Sequence, residues 1–403
     1  MTLTEETTGA VDQDEVEVLA LCRQLLEELP PKETDRTTFL GRQFDLGLGW
    51  VHFPVGEGGL GKSPKLQKLV NETLLGAGAP HPYAGNPIGY GMGAPTIVTH
   101  GSEAQKHRYL RPLFTGEEVW CQLFSEPGAG SDVASLATRA VRDGDEWVVN
   151  GQKVWTTLAH LARWGMLIAR TDPDQPKHKG MTYFVVDMQG PGVEVRPLYQ
   201  ITGEAEFNEV YFTDARIPDA ERLGDVGEGW RVSLTTLMNE RVAIGGQVTP
   251  RGGGFIGEVV KTWQQQGHTD PALRDRLMQL WIRAEVLRLT NIRASQLRAV
   301  GNPGPEGSIA KGLMAELNKH LSEFAVDLLG PDGMLFPSGY PMDRPQHAMM
   351  WASPQQAFLR MRANSIEGGT TEIMKNILGE RVLGLQGDVR NDKDVPWAQV
   401  PRS

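Results

Sequence analysis

Between residues 146 and 212 the apolar residues of this chain stop recurring at helical spacing and give way to short runs of β-branched and aromatic side chains. That change of pattern constrains the fold more than any other feature. Glu146-Trp147-Val148-Val149-Asn150-Gly151-Gln152-Lys153-Val154-Trp155 reads as two strand-like runs around an Asn-Gly turn, the signature of a hairpin. Further strands are predicted over 181–188, 193–197 and 209–212, separated by Gly, Pro and Asp, and together they form a small β barrel or sandwich. Before this block, Val18, Cys22, Leu25, Leu26 and Leu29 recur at helical spacing, with similar stretches over 36–47, 64–75 and 101–113. After Gly227-Glu228-Gly229 the helical pattern returns over 230–245, 253–265, 271–300, 308–329 and 354–383. The expected fold class is α+β. An N-terminal helical domain (1–117) precedes a central β domain (118–224), a C-terminal helical bundle (225–385) and a polar tail (386–403) that lies over the surface or reaches a neighbouring subunit.

At 403 residues and 40% apolar content the chain can bury a sizeable core. No stretch has the apolar length of a membrane span, and residues 1–13 are polar and acidic rather than basic and apolar, so the expected address is cytoplasmic. Cys22 and Cys121 stand far apart in no metal-ligand spacing, so neither a disulfide framework nor a metal site is expected. The net charge of -10 argues against nucleic acid and against an anionic membrane surface as partners.

Ser125-Glu126-Pro127-Gly128-Ala129-Gly130-Ser131-Asp132 is a turn in which glycines remove side chains where the backbone comes close to a ligand or to another strand. It is not a dinucleotide fingerprint, since no G-x-G-x-x-G joins a strand to a helix here. Lys153-Val154-Trp155-Thr156-Thr157, the pair Glu240-Arg241 and Glu367-Gly368-Gly369-Thr370-Thr371-Glu372 follow it in the chain. In that order, over residues 15–385, these segments resemble the acyl-CoA dehydrogenase superfamily, in its actinobacterial form.

The resemblance implies FAD held between the β domain and the C-terminal helices. Gln122, Phe124 and Ser125 would line the flavin, Gly130 and Ser131 would approach the pyrophosphate and the thioester ligand, Trp155 would pack on the ring, and Thr157 would hydrogen-bond near its reactive edge. Thr370 and Glu372 match residues that touch the flavin nucleotide, roles compatible with capping a helix. Family members place the catalytic glutamate in one of two spots, and here the first holds Gly368 and the second Glu240. Glu240 is therefore the expected base, as in long-chain and isovaleryl-type members, with Glu367 the rival, one residue out of register. Ser131, Arg241 and Gly368 are the expected substrate contacts, the last through its backbone N–H.

The implied activity is α,β-dehydrogenation of an acyl-CoA to the trans-2-enoyl-CoA, with an electron-transfer flavoprotein as acceptor and a homodimer or homotetramer as the assembly. Two departures favour an alternative. Many members grip a neighbour's ADP half through Arg-x-x-Phe-Gly and Gln-x-x-Gly-Gly-x-Gly segments. This chain reads Gln-Gly-His-Thr-Asp-Pro-Ala-Leu-Arg-Asp-Arg-Leu at 266–277 and Asp-Leu-Leu-Gly-Pro-Asp-Gly at 327–333. Related actinobacterial-type enzymes work as complexes of two different chains, so a heteromer, including a non-catalytic half, is one alternative. A flavin oxidase or monooxygenase on the same fold is a second alternative, independent of those departures, and a glutamate retained at the base position argues against it.

Overall fold

The computed structural model describes residues 12–245, 248–299, 305–336, 342–346, 353–387, 389 and 392–400, and the side chains of 241–245 and 298–299 lie outside that description. The chain divides into two compact units, one running to Tyr90 and resuming over Ile97–Val119, the other comprising Gly91–Thr96 and everything from Trp120.

The first unit carries α1 (Gln13–Glu28), α2 (Arg36–Asp45) and α3 (Leu66–Gly76). After α4 (Ala94–His100) comes α5 (Glu103–Thr115). α1 buries Val18, Cys22 and Leu25, as its period predicts. Asp12, Asp35 and Ser102 cap helix N-termini with their side chains, and left-handed Gly116 (φ 80°) ends α5. Trp50 centres the core of this unit, 4.9 Å from Phe53, 5.0 Å from Tyr90 and 4.9 Å from Phe114 between ring centroids.

The second unit opens with strands β1 (Trp120–Leu123), β2 (Arg139–Asp143), β3 (Glu146–Thr157), β4 (Trp164–Arg170), β5 (Met181–Asp187), β6 (Val193–Pro197), β7 (Phe207–Pro218) and β8 (Arg222–Leu223). They form one mixed sheet in the order β6-β7-β3-β2-β4-β5-β8, with β1 parallel to β4. Its two halves join only at the pair Arg139–Arg170, and both contribute to a shared core that includes Trp147, Val149, Phe184, Val186, Phe212 and Ile217. The expected hairpin at Asn150-Gly151 is not there. β3 continues through both residues, with a register shift against β7 between Val149 and Gly151, and the reversal lies at Gly144-Asp145, between paired Asp143 and Glu146. Gly151 serves a close approach instead of a turn, because a Cβ there would collide with Thr138. Asn150 is used across the sheet, where its side chain both donates to Asp214 Oδ1 (2.9 Å) and accepts from Asp214 N (3.0 Å).

Six helices among the described residues complete the unit: α6 (Gly229–Gly245), α7 (Phe255–Gln266), α8 (Pro271–Ala299), α9 (Glu306–Leu328), α10 (Pro354–Arg360) and α11 (Thr371–Ile377). α7, α8 and α9 close on Ile256, Val259, Leu277, Leu321 and Phe324, where each fully buried side chain contributes roughly 1.5–3 kcal/mol. The helical stretch expected over 354–383 is broken. A 3₁₀ turn (Met361–Ser365) follows α10, and Gly368 (φ 62°) and Gly369 (φ 93°) are successive left-handed residues that only glycine adopts without strain. Of the tail, residues 392–400 lie over the β domain: Trp397 N donates to Gln175 O (2.9 Å), Ala398 N to Pro173 O (2.9 Å) and Lys177 Nζ to Asp392 (2.5 Å). Among the described residues no helix is long and apolar enough to cross a membrane, and no group of His, Cys, Asp or Glu is clustered to hold a metal ion.

Candidate active site

β1 delivers half-buried Gln122 and leads into buried Phe124, whose ring meets Tyr183 edge-on at 5.9 Å. Glu126 and Ala129 exchange both backbone hydrogen bonds (3.0 Å each), which throws Pro127 and Gly128 outward. The loop is tied to β3 twice, by Val154 N donating to Ser125 O (2.9 Å) and by buried Lys153, whose Nζ donates to Phe124 O (3.0 Å) and Glu126 Oε1 (2.8 Å). Glu126 also accepts from Ala137 N (2.6 Å) and Thr138 N (2.9 Å). Burial works to raise the Glu126 carboxyl, but the Lys153 ammonium and these donors hold it below the usual carboxylate range. Beyond this anchor, Gly130, Ser131 and Asp132 are exposed, and a Cβ on Gly128 or Gly130 would meet nothing within 4 Å. Neither glycine is therefore required for a close approach within the described protein.

Trp155 departs from strand geometry. β3 and β7 shift register between Lys153 and Thr156, and Trp155 takes φ 61° in the bulge, with its side chain 58% exposed. A large indole held outward in a sparsely populated conformation is a strained residue of the kind that clusters at ligand sites. Next to it Thr156 Oγ1 is buried without a hydrogen-bond partner among the described residues, and Thr157 is half-buried. Trp155→Ala is expected to cost about 2 kcal/mol of stability, from roughly 100 Å² of buried indole at about 25 cal/mol per Å², and to weaken retention of a stacked aromatic ligand about tenfold. Flavin fluorescence during dilution of the purified protein measures the second effect.

From Trp155 a line of contacts crosses to the C-terminal helices. Trp155 meets Phe207 edge-on at 5.8 Å, Arg360 lies over the Phe207 ring at 5.3 Å, and Arg360 grips both oxygens of Glu367 at 3.1 Å. Asn364 Nδ2 adds a bond to Glu367 Oε1 (2.7 Å), and Glu206 lies 3.5 Å from Arg360. Beyond Glu367 stands Lys311 of α9, where burial pulls the ammonium below the usual lysine value while Glu367, Glu240 and Glu372 pull it back up. The charges of Glu367 in the turn, Glu240 of α6 and Glu372 of α11 thus all act on one buried cation, whose ammonium donates to the Gly369 carbonyl next to Gly368. Thr370 caps α11 by accepting from Ile373 N (3.1 Å), and Glu372 is exposed in the first turn. A groove of about 670 Å³ runs past Thr370, Thr371 and Glu372 and is walled by Ser308, Gly312 and Lys319. Thr371 Oγ1 is buried beside it without a partner among the described residues. The side chain of Arg241 lies outside the described residues.

Sequence reasoning quoted Glu126 and Lys153 in separate motifs without pairing them, and missed Phe207, Lys311 and Arg360 altogether. For Lys311 a signal existed. It shares a helix face with Ala315 and Ser322, both buried, so a charged residue stands in a stripe of small buried ones.

The N-terminal, middle and C-terminal domains of acyl-CoA dehydrogenase match residues 16–117, 121–215 and 227–383. Acyl-CoA dehydrogenase IpdE1 of Mycobacterium tuberculosis is 40% identical over 85% of this chain and 85% of its own length. Acyl-CoA dehydrogenase FadE34 of the same organism is 40% identical over 85% of this chain, which spans only 45% of FadE34. Among solved structures, the Tcur3481-Tcur3483 steroid ACAD superposes with a TM-score of 0.72 at 26% identity, covering 96% of this chain and 100% of that one. The ChsE4-ChsE5 complex from Mycobacterium tuberculosis gives 0.67 at 26% identity, covering 95% and 100%. The exposed Gly128–Gly130 loop, the outward indole and the threonine hydroxyls that have no partner among the described residues are compatible with a ligand that is aromatic at one end and phosphorylated at the other. The chain belongs to the acyl-CoA dehydrogenase family, oxidoreductases that depend on FAD.

Proposed function

We propose that this chain converts an acyl-CoA to its trans-2-enoyl-CoA with Glu240 as the base. The observation that carries this is how the nearby carboxylates are employed. Glu367 is committed to Arg360 and Asn364 and Glu372 is exposed at the start of α11, while Glu240 is half-buried on α6. Taking a weakly acidic α-proton calls for a carboxylate partly stripped of water. The Gly368 N–H donates to the thioester carbonyl and favours the enolate-like charge that develops as the proton leaves. FAD, when bound, supplies the acceptor for the β-hydride. Gln122, Phe124, Ser125, Trp155 and Thr157 would hold its ring system, Gly130 and Ser131 its pyrophosphate, and Thr370 and Glu372 its nucleotide. Ser131 and Arg241 serve the CoA part, and an electron-transfer flavoprotein takes the electrons onward.

The acyl group is bulky, branched or ring-bearing. Placement of the base on α6 supports this, as does likeness to an enzyme described as a steroid ACAD. Anaerobic mixing of the flavin-loaded protein with straight, branched and steroid-ring acyl-CoA thioesters is the test. Fastest bleaching of the visible flavin band by a ring-bearing thioester is expected. Preference for a straight chain would refute the substrate class, and no bleaching by any would refute the activity.

A second reading, that the active unit pairs this chain with a different one, has its own observation. Arg276 bonds Asp327 (2.9 Å) and lies over Phe324 (5.0 Å), and His268 Nε2 bonds Leu328 O (2.8 Å). At the two places where many members grip a neighbour's ADP half, this chain's groups hold each other. Both similar solved structures are described by two chain names.

A further inference from the structure

Lys311 is 1% exposed, and its ammonium donates to the carbonyl oxygens of Asn364 (2.8 Å) and Gly369. Those two carbonyls bracket the turn that carries Glu367 and Gly368. Burying an ammonium is costly unless its hydrogen bonds are met and countercharges stand near. Here the strongest countercharge is Glu367 in the turn, with Glu240 on α6 and Glu372 on α11 acting more weakly. A second hold on the same turn comes from Asn318 Nδ2, which donates to Asn364 Oδ1 (3.0 Å), whose own Nδ2 donates to Glu367. The turn itself contains two left-handed glycines, the residues with the most conformational freedom to lose, so its shape depends on clamps at its ends.

We propose that Lys311 is a positioning residue for the dehydrogenation, clamping the 364–369 turn so that the Gly368 N–H faces the thioester carbonyl. This rests on the assignment of Glu240 and Gly368 made above. A purely structural lysine would change stability and leave the proton-transfer step alone; a clamp on the donor changes that step even when the fold is intact.

The test is Lys311→Met in the full chain, which keeps the alkyl stem and removes the ammonium. Three quantities are read: kcat and KM with an oxidisable acyl-CoA, solvent exchange of the α-hydrogen of a 3-thia-acyl-CoA, which has no β-hydrogen to lose, and backbone amide exchange of the 364–370 segment in the protein without ligand. The expected result is a fall of about 10²-fold in kcat and in α-hydrogen exchange, a KM within about threefold, and faster amide exchange in 364–370 but not in the sheet. An α-hydrogen exchange rate and kcat within about threefold of the parent would overturn the proposal. If Lys311→Met does not fold, Asn318→Leu loosens the same turn while keeping the charge. Faster turn exchange with reduced kcat then supports the clamp, and unchanged kcat with a loosened turn sinks it. Failure of the underlying assignment looks different, because Glu240→Gln would then keep the parent's α-hydrogen exchange whatever Lys311→Met does.

Discussion

Glu240→Gln is expected to fold normally, to keep its flavin and to reduce that flavin with acyl-CoA about 10³-fold or more slowly than the parent. Glutamine preserves the shape of the side chain and deletes only its ability to take a proton, so the loss belongs to the chemical step. Glu367→Gln separates from it in kind. Its carboxylate is the bidentate partner of Arg360, which is 4% exposed, and replacing it leaves that guanidinium half-paired. The cost is roughly 3 kcal/mol, at the low end for a broken buried pair because Glu206 remains 3.5 Å away. Stopped-flow flavin reduction and thermal unfolding on both variants give a two-by-two comparison: Glu240→Gln slow and stable, Glu367→Gln faster and unstable. The opposite pattern would make Glu367 the base.

That contrast also shows what the sequence could convey. The periods of α1, α9 and the strands from Met181 onward were legible, because apolar spacing is set by which face each element buries. The Asn-Gly pair misled because its local meaning, a two-residue turn, lost to a tertiary demand: Gly151 must pass Thr138, and Asn150 must bond Asp214 across the sheet. The Glu367–Glu372 segment stood out by motif, yet the contacts its residues make did not. Nothing in Glu367-Gly368-Gly369 says that Arg360, seven residues earlier, consumes the glutamate, or that Lys311, more than fifty residues earlier, closes the turn. Such pairings are decided by packing between α9, the turn and β7, which no local window contains.

Lys153→Met should produce the largest stability loss at the Ser125–Asp132 loop. It leaves the Glu126 carboxylate, 8% exposed, with two backbone donors and no countercharge, a change that costs about 3–5 kcal/mol. The pH dependence identifies the cause. In the parent, Glu126 is held below the usual carboxylate range, so its contribution is present above the unfolded pKa of about 4.3 and is lost as pH falls through the lower folded value. In the variant, burial acts unopposed by the ammonium and the folded pKa moves above the unfolded one. Stability is then retained below about pH 4 and lost as pH rises through the folded value. The gap between parent and variant therefore widens from pH 4 to pH 7, as urea midpoints across that range will report. A constant gap would mean that lost packing of the lysine stem, and not the orphaned charge, carries the effect. Adding Glu126→Gln to Lys153→Met removes the orphan and should recover much of the loss, but not the tie between the Ser125–Asp132 loop and β3. Flavin affinity in the double variant should stay low even as stability returns, which separates the pair's part in holding the fold from its part in holding the loop.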